Sequence, residues 1–141
     1  MKKINLKGII ALSSLAIVFS CKKYDEGPVT FRTPKQRLTD KDWVISESFE
    51  NGQTETISNE EKATVLTFED DGKFTIKTPD TTITGSWEFI DDNEKIKTVL
   101  AFGNDLETQT SQIKKLTNDE LWVTYTQDGD NIEDRYTKKD D

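Results

Sequence analysis

The side chains able to do chemistry in this chain are few, and most are of the wrong type for catalysis. Among 141 residues there is no histidine and a single cysteine, Cys21. Imidazole is the commonest general base and a frequent metal ligand, so the usual routes to nucleophilic and zinc chemistry are missing. A serine or threonine nucleophile would then need a lysine as its base. Ser111-Gln112-Ile113-Lys114 has that bare spacing. It falls in a segment that alternates like a strand, where positions three apart face opposite sides. Paired carboxylates could serve glycoside cleavage, but Asp70-Asp71 and Asp91-Asp92 sit where aspartate shapes turns. Asp128-Gly129-Asp130-Asn131 has the opening of a calcium loop without its later ligands, so turn formation is the preferred reading. The expectation is a protein that is not an enzyme and that uses no metal and no cofactor.

Cys21 has a different use. Lys2, Lys3 and Lys7 make a positive start, and Ile9 to Phe19 is an apolar run of eleven residues. A helix needs roughly 20 apolar residues to span a bilayer, so the run is too short for a permanent span. Val18-Phe19-Ser20-Cys21 closes it as a lipobox would. The expectation is a lipoprotein signal peptide over 1–20 and a mature chain that begins at an acylated Cys21. With one thiol no intrachain disulfide can form, and membrane lipid becomes the first partner.

Charge divides the rest in two. Three of the 19 basic residues, and none of the 27 acidic ones, lie in the first 20 positions, so the processed chain would carry −11. Residues 22–37 hold Lys22, Lys23, Arg32, Lys35 and Arg37 against Asp25 and Glu26, a net of +3. The remainder, with 11 bases against 25 acids, is at −14. Gly27, Pro28 and Pro34 with few apolar neighbours suggest a flexible basic linker over 21–37, able to reach about 55 Å when stretched. An acidic body on such a stalk would be held off an anionic membrane, and it has no basic stripe for nucleic acid.

Positions 38–141 then read as one all-β domain. Ile83, Gly85, Trp87 and Phe89 alternate with Thr82, Thr84, Ser86 and Glu88, the period of a strand with one buried face. Similar segments lie at about 43–50, 64–68, 73–77, 94–102, 105–115, 121–126 and 131–138. Asp70-Asp71-Gly72, Asp91-Asp92-Asn93, Gly103-Asn104-Asp105, Thr117-Asn118-Asp119 and Asp128-Gly129 supply turns between them. Asn59 to Lys62 suits one helical turn capped by Ser58. Eight short strands with short turns must be antiparallel neighbours. They can close into an up-and-down barrel that leaves no open edge. A two-sheet sandwich is the rival, and only Asn51 to Lys62 is long enough for its cross-connections.

Resemblance sharpens both halves. Cys-Lys-Lys-Tyr-Asp-Glu-Gly-Pro, residues 21–28, resembles the mature start of small Bacteroidetes lipoproteins. Lys22, Lys23, Asp25 and Glu26 lie where acidic residues after the lipidated cysteine resemble a surface-export signal in that phylum. The order of Leu38–Ile45, Phe68-Glu69-Asp70-Asp71-Gly72-Lys73-Phe74, Gly85-Ser86-Trp87-Glu88-Phe89, Lys115–Leu121 and Tyr136-Thr137-Lys138-Lys139 is similar to Bacteroidetes lipocalin-like domain lipoproteins. That likeness implies an eight-stranded lipocalin-like barrel, exported and lipid-anchored to the bacterial outer membrane on its periplasmic or cell-surface face. Asp80-Thr81-Thr82 resembles a threonine O-glycosylation signal of exported proteins from the same phylum, with Thr81 as the acceptor.

The alternating apolar positions predict an inward set that includes Trp43, Ile45, Phe49, Leu106, Ile132 and Tyr136. Small barrels of this strand number are filled by side chains or hold one small ligand, and each tryptophan suits core filling. Thr108, Thr110 and Gln112 are expected to point inward beside Leu106 as a polar wall. Trp43, Trp87, Thr108, Thr110, Tyr125 and Tyr136 are therefore the candidates to face a small hydrophobic or amphipathic ligand. The alternative is an interaction lipoprotein that binds a basic protein partner through its acidic exterior.

Overall fold

The computed structural model describes residues 23–141. The expected signal peptide over 1–20, the expected lipidation site Cys21, and Lys22 lie outside the described residues. The eight expected strands are present: β1 (Asp42–Glu50), β3 (Val65–Phe68), β4 (Lys73–Lys77), β5 (Thr82–Ile90), β6 (Lys95–Phe102), β7 (Asp105–Leu116), β8 (Glu120–Gln127) and β9 (Asp130–Lys138). A two-residue strand, β2 (Gln53–Thr54), adds to the end of β1. Each of the eight pairs antiparallel with the next, β1 directly with β3, and β9 pairs back onto β1 from Trp43↔Lys138 to Glu50↔Ile132. The chain is thus a closed up-and-down barrel of eight strands with one short extra strand. Closure satisfies the backbone groups that an open sheet would expose.

The turns follow their residue types. Asp128 and Gly129 both have positive φ, 51° and 92°, as a two-residue hairpin requires. Asp91, Asp92 and Asn93 are left-handed in succession, with φ of 50°, 57° and 64°. Aspartate and asparagine tolerate that region better than other non-glycine residues, and Lys95 Nζ, 2.6 Å from Asp91 Oδ2, braces the turn.

One end of the barrel is plugged. The helix α1 (Pro34–Leu38) is only five residues, but Thr33 and Gln36 form a complete capping box at its start. It presses Arg37 and Leu38 into the barrel end, where Trp43 Nε1 donates to the Leu38 carbonyl at 3.0 Å. Tyr24, Trp43, Phe68, Trp87, Leu116 and Leu121 belong to one buried cluster beside Leu38. Arg37 Nη2 meets Glu26 Oε1 at 2.7 Å. Asp25 forms a short parallel bridge with Lys115, and Lys23 pairs with Asp92. Residues 23–38 are therefore a strap and plug laid against the barrel. The reading of 22–37 as an extended linker misses this, because Tyr24, Arg37 and Leu38 are spaced too irregularly to mark a buried face.

A bulge decides the opposite end. The β1–β9 register shifts between Ile45 and Glu47. An extra residue reverses which side the following side chains face. Beyond it Ser48 faces in, against Asp134 of β9, while Phe49 faces out and lies under the Arg135 guanidinium at 4.5 Å. The expected inward Phe49 is thus corrected by the bulge. β1 pairs with β3 only from Asp42 to Val44. The helix α2 (Asn59–Ala63), capped by Ser58 as expected, lies in the chain segment that joins them.

Candidate functional site

The barrel interior above the plug holds a cavity of about 140 Å³. Leu66, Phe68, Phe74, Ile76, Ile96 and Leu100 make one apolar side of it, and Leu121 and Val123 close another. These come from β3, β4, β6 and β8. Against them stand Thr98, Gln109 and Ser111, and at one end Tyr125 and Tyr136. A larger recess, about 620 Å³, lies outside the plugged end among Asp40, Lys41, Asp42, Lys138 and the C-terminus. It is a groove between exposed charged chains, and of the buried cluster only Phe68 reaches it. The interior cavity is the better candidate, because apolar walls and a few convergent polar groups are what hold a small molecule.

The polar wall on β7 exists, but on the other face from the one expected. Ile96, Thr98 and Leu100 face in, and their partners across the ladder are Ser111, Gln109 and Glu107. Thr108 and Thr110 are exposed and point outward, and Leu106 is 74% exposed. The polar residues of β7 that line the cavity are buried Ser111 and Gln109, which is itself exposed at the rim, with Gln109 Nε2 donating to Ser111 Oγ at 3.3 Å. Counting back by twos from buried Ile113 reaches both of them. Counting from Leu106 does not, because the strand carries no other apolar marker in its upper half. Ser111 is buried and Lys114 exposed, so the Ser-x-x-Lys spacing brings no base to the hydroxyl.

Tyr125 and Tyr136 do come together, and around a residue the sequence did not single out. Asp134 is 6% exposed on β9. Its Oδ1 accepts from Ser48 Oγ at 2.7 Å, and its Oδ2 from the Tyr125 hydroxyl at 2.8 Å and the Tyr136 hydroxyl at 3.3 Å. Asp134 also lines a second hollow of about 160 Å³, together with Ile45, Glu61, Thr64, Leu66 and Tyr136. The two hollows share Leu66 and Tyr136 in their walls. The neighbouring cation, Arg135, faces outward and pairs with Glu47 and Glu133 at 2.8 Å each. Among the described residues no lysine or arginine forms an ion pair with Asp134.

The other candidates are placed as follows. Trp43 is fully buried in the plug. Trp87 is buried, with Nε1 donating to the Glu69 carbonyl at 2.8 Å and its ring edge-on to Phe68 and Phe89. Both therefore fill the core, and neither lines the cavity. Thr81 is exposed in the β4–β5 turn, where its carbonyl accepts from the Thr78 N–H at 2.9 Å. Glu26 is bound to Arg37 and Lys23 to Asp92. No group of three or more metal-ligating side chains is gathered among the described residues.

Burial and the Asp134 charge both push the phenols of Tyr125 and Tyr136 well above 10. Burial also raises Tyr24, so all three tyrosines of the chain are shifted in one direction. The folded state then keeps its phenolic protons at a pH where the unfolded chain releases them. The stability these three phenols contribute is fully present below about pH 10 and falls as pH rises from there. A spectrophotometric titration at alkaline pH should accordingly show phenolate absorbance rising together with loss of the β-sheet circular dichroism signal. A smooth rise near pH 10 in the intact fold would contradict the buried network.

No family model matches the chain, and no curated protein matches it.

Proposed function

We propose that this chain is a non-catalytic binding module whose barrel takes one small amphipathic ligand, and that it is tethered to the outer membrane through an acylated Cys21. The likeness to lipocalin-like lipoproteins supports that reading. The observation that carries it is the interior cavity, apolar on β3, β4, β6 and β8 and polar at the Tyr125–Asp134–Tyr136 end.

Size narrows the ligand. Sites for drug-sized molecules run about 300–1,000 Å³, whereas an apolar cavity of about 150 Å³ accommodates benzene. At about 140 Å³, this interior suits one ring or a short chain. A long fatty acid, a sterol or haem would require the barrel to open.

A thermal-shift screen of the soluble domain tests the reading. Single-ring aromatics with one polar substituent should stabilise the fold, by about 2.7 kcal/mol at a concentration of 100 Kd. Long-chain fatty acids should not. Uniform absence of stabilisation would dismiss the binding module and favour the alternative. That alternative is a lipoprotein whose −14 body holds a basic protein partner, an attraction that salt would screen within about 10 Å at 0.1 M.

A further inference from the structure

The polar end of the cavity has a bias in hydrogen-bonding character. Tyr125, Tyr136 and Ser48 each aim their hydroxyl hydrogen at Asp134. Those three donors are consumed, so the tyrosine oxygens that face the cavity retain only lone pairs. A carboxylate offers about four lone-pair positions, and three hydroxyl donors leave one unfilled. Asp134 is nearly buried, and its charge has no cationic partner among the described residues. Glu61, on α2, lines the adjoining hollow and adds negative charge on the same side. An anionic ligand would meet repulsion here, and a neutral acceptor would find few donors. A positively charged donor would supply what the site lacks.

Resting on the binding-module reading, we propose that the ligand is a small organic ammonium ion: its apolar body lies among Leu66, Ile76 and Leu100, and its N–H groups are received by the oxygens of Tyr125 and Tyr136, whose hydroxyl hydrogens are held by Asp134 from the adjoining hollow. Charge-assisted hydrogen bonds of this kind are roughly twice as strong as neutral ones. The attraction operates within a region sheltered from water, where a carboxylate is costly to leave unpaired.

Two probes of nearly equal size separate the charge from the fit. Benzylamine and benzyl alcohol are titrated calorimetrically into the soluble domain at neutral pH and about 0.15 M salt, where charges beyond about 8 Å are screened. Benzylamine should bind at least about tenfold more tightly, the gap expected when a charged hydrogen bond replaces a neutral one. In Asp134→Asn that preference should vanish. Should Asp134→Asn fail to fold, the comparison in the unaltered domain decides the matter alone. Equal binding of the two probes, or tighter binding of the alcohol, would overturn the ammonium assignment and leave the binding module intact. A preference that survives Asp134→Asn would also overturn it. If neither probe binds the folded domain, the ammonium assignment fails, and the thermal-shift screen decides the binding module separately.

Discussion

Gly85→Ala is expected to destabilise the barrel by about 3 kcal/mol or more, at the upper end of what overpacking costs. Gly85 sits in the middle of β5, opposite Phe74 on one side and Leu100 on the other. A Cβ placed there would overlap the Val99 carbonyl oxygen and lie 2.9 Å from its carbon. Both obstacles are backbone, locked into the β5–β6 ladder, so no side chain can swing aside. The position marks a close approach of the β6 backbone to β5, a common reason for glycine inside a strand. Urea denaturation should reveal the loss, together with a fall of about 10 °C or more in melting temperature. A change below about 1 kcal/mol would mean that the two strands part more easily than the close approach implies. Gly52 offers the contrast, because a Cβ there meets nothing within 4 Å. Its φ of +80° makes a substitution costly for backbone reasons alone.

Trp43→Ala should cost about 4 kcal/mol, within the range seen when a large buried aromatic is truncated. Trp43 is 0% exposed and joins β1, β9 and the plug. Two losses combine: a void where the indole stood, and a Leu38 carbonyl left without its 3.0 Å donor. Trp43→Phe isolates the second. It keeps most of the apolar volume and should recover all but about 1–2 kcal/mol. Trp122→Ala is the control. That ring lies on the outer face between Lys115 and Arg135, 4.5 and 4.0 Å from its centroid, where cation–π contacts are worth about 0.5–1 kcal/mol each. If Trp43→Ala proved no worse than Trp122→Ala in equilibrium unfolding, the plug would not be part of the cooperative core.

The strands were legible because their alternation is strict. Ile83 to Phe89 and Leu121 to Tyr125 keep one face apolar throughout, and the antiparallel order followed from the short turns. The candidate site was only half legible. Tyr125 and Tyr136 were found because they continue apolar faces. Asp134 was missed because an aspartate in a strand is ordinarily assigned to solvent. Only the bulge at Ser46 brings Ser48 round to partner it, and one inserted residue leaves no mark in hydrophobicity. Thr108 and Thr110 were misplaced for a related reason. A polar strand has no internal signal of phase, so its facing depends on which end anchors the count. The plug escaped notice because a buried arginine and a five-residue helix look like linker until their partners are known.

The strap alters how far such a barrel could stand from a bilayer. Lys23 is already held at Asp92 and Tyr24 already sunk beside the plug, so an acyl group on Cys21 would leave a leash of two peptide steps, about 7 Å. The domain would perch on the lipid rather than sway above it. The exposed Val29 and Phe31 of the strap belong to the plugged pole, beside the mooring, and the Ser48–Asp134 pole would look away toward whatever diffuses past. A bulky partner approaching from the lipid side would then find the barrel's foot, not its opening.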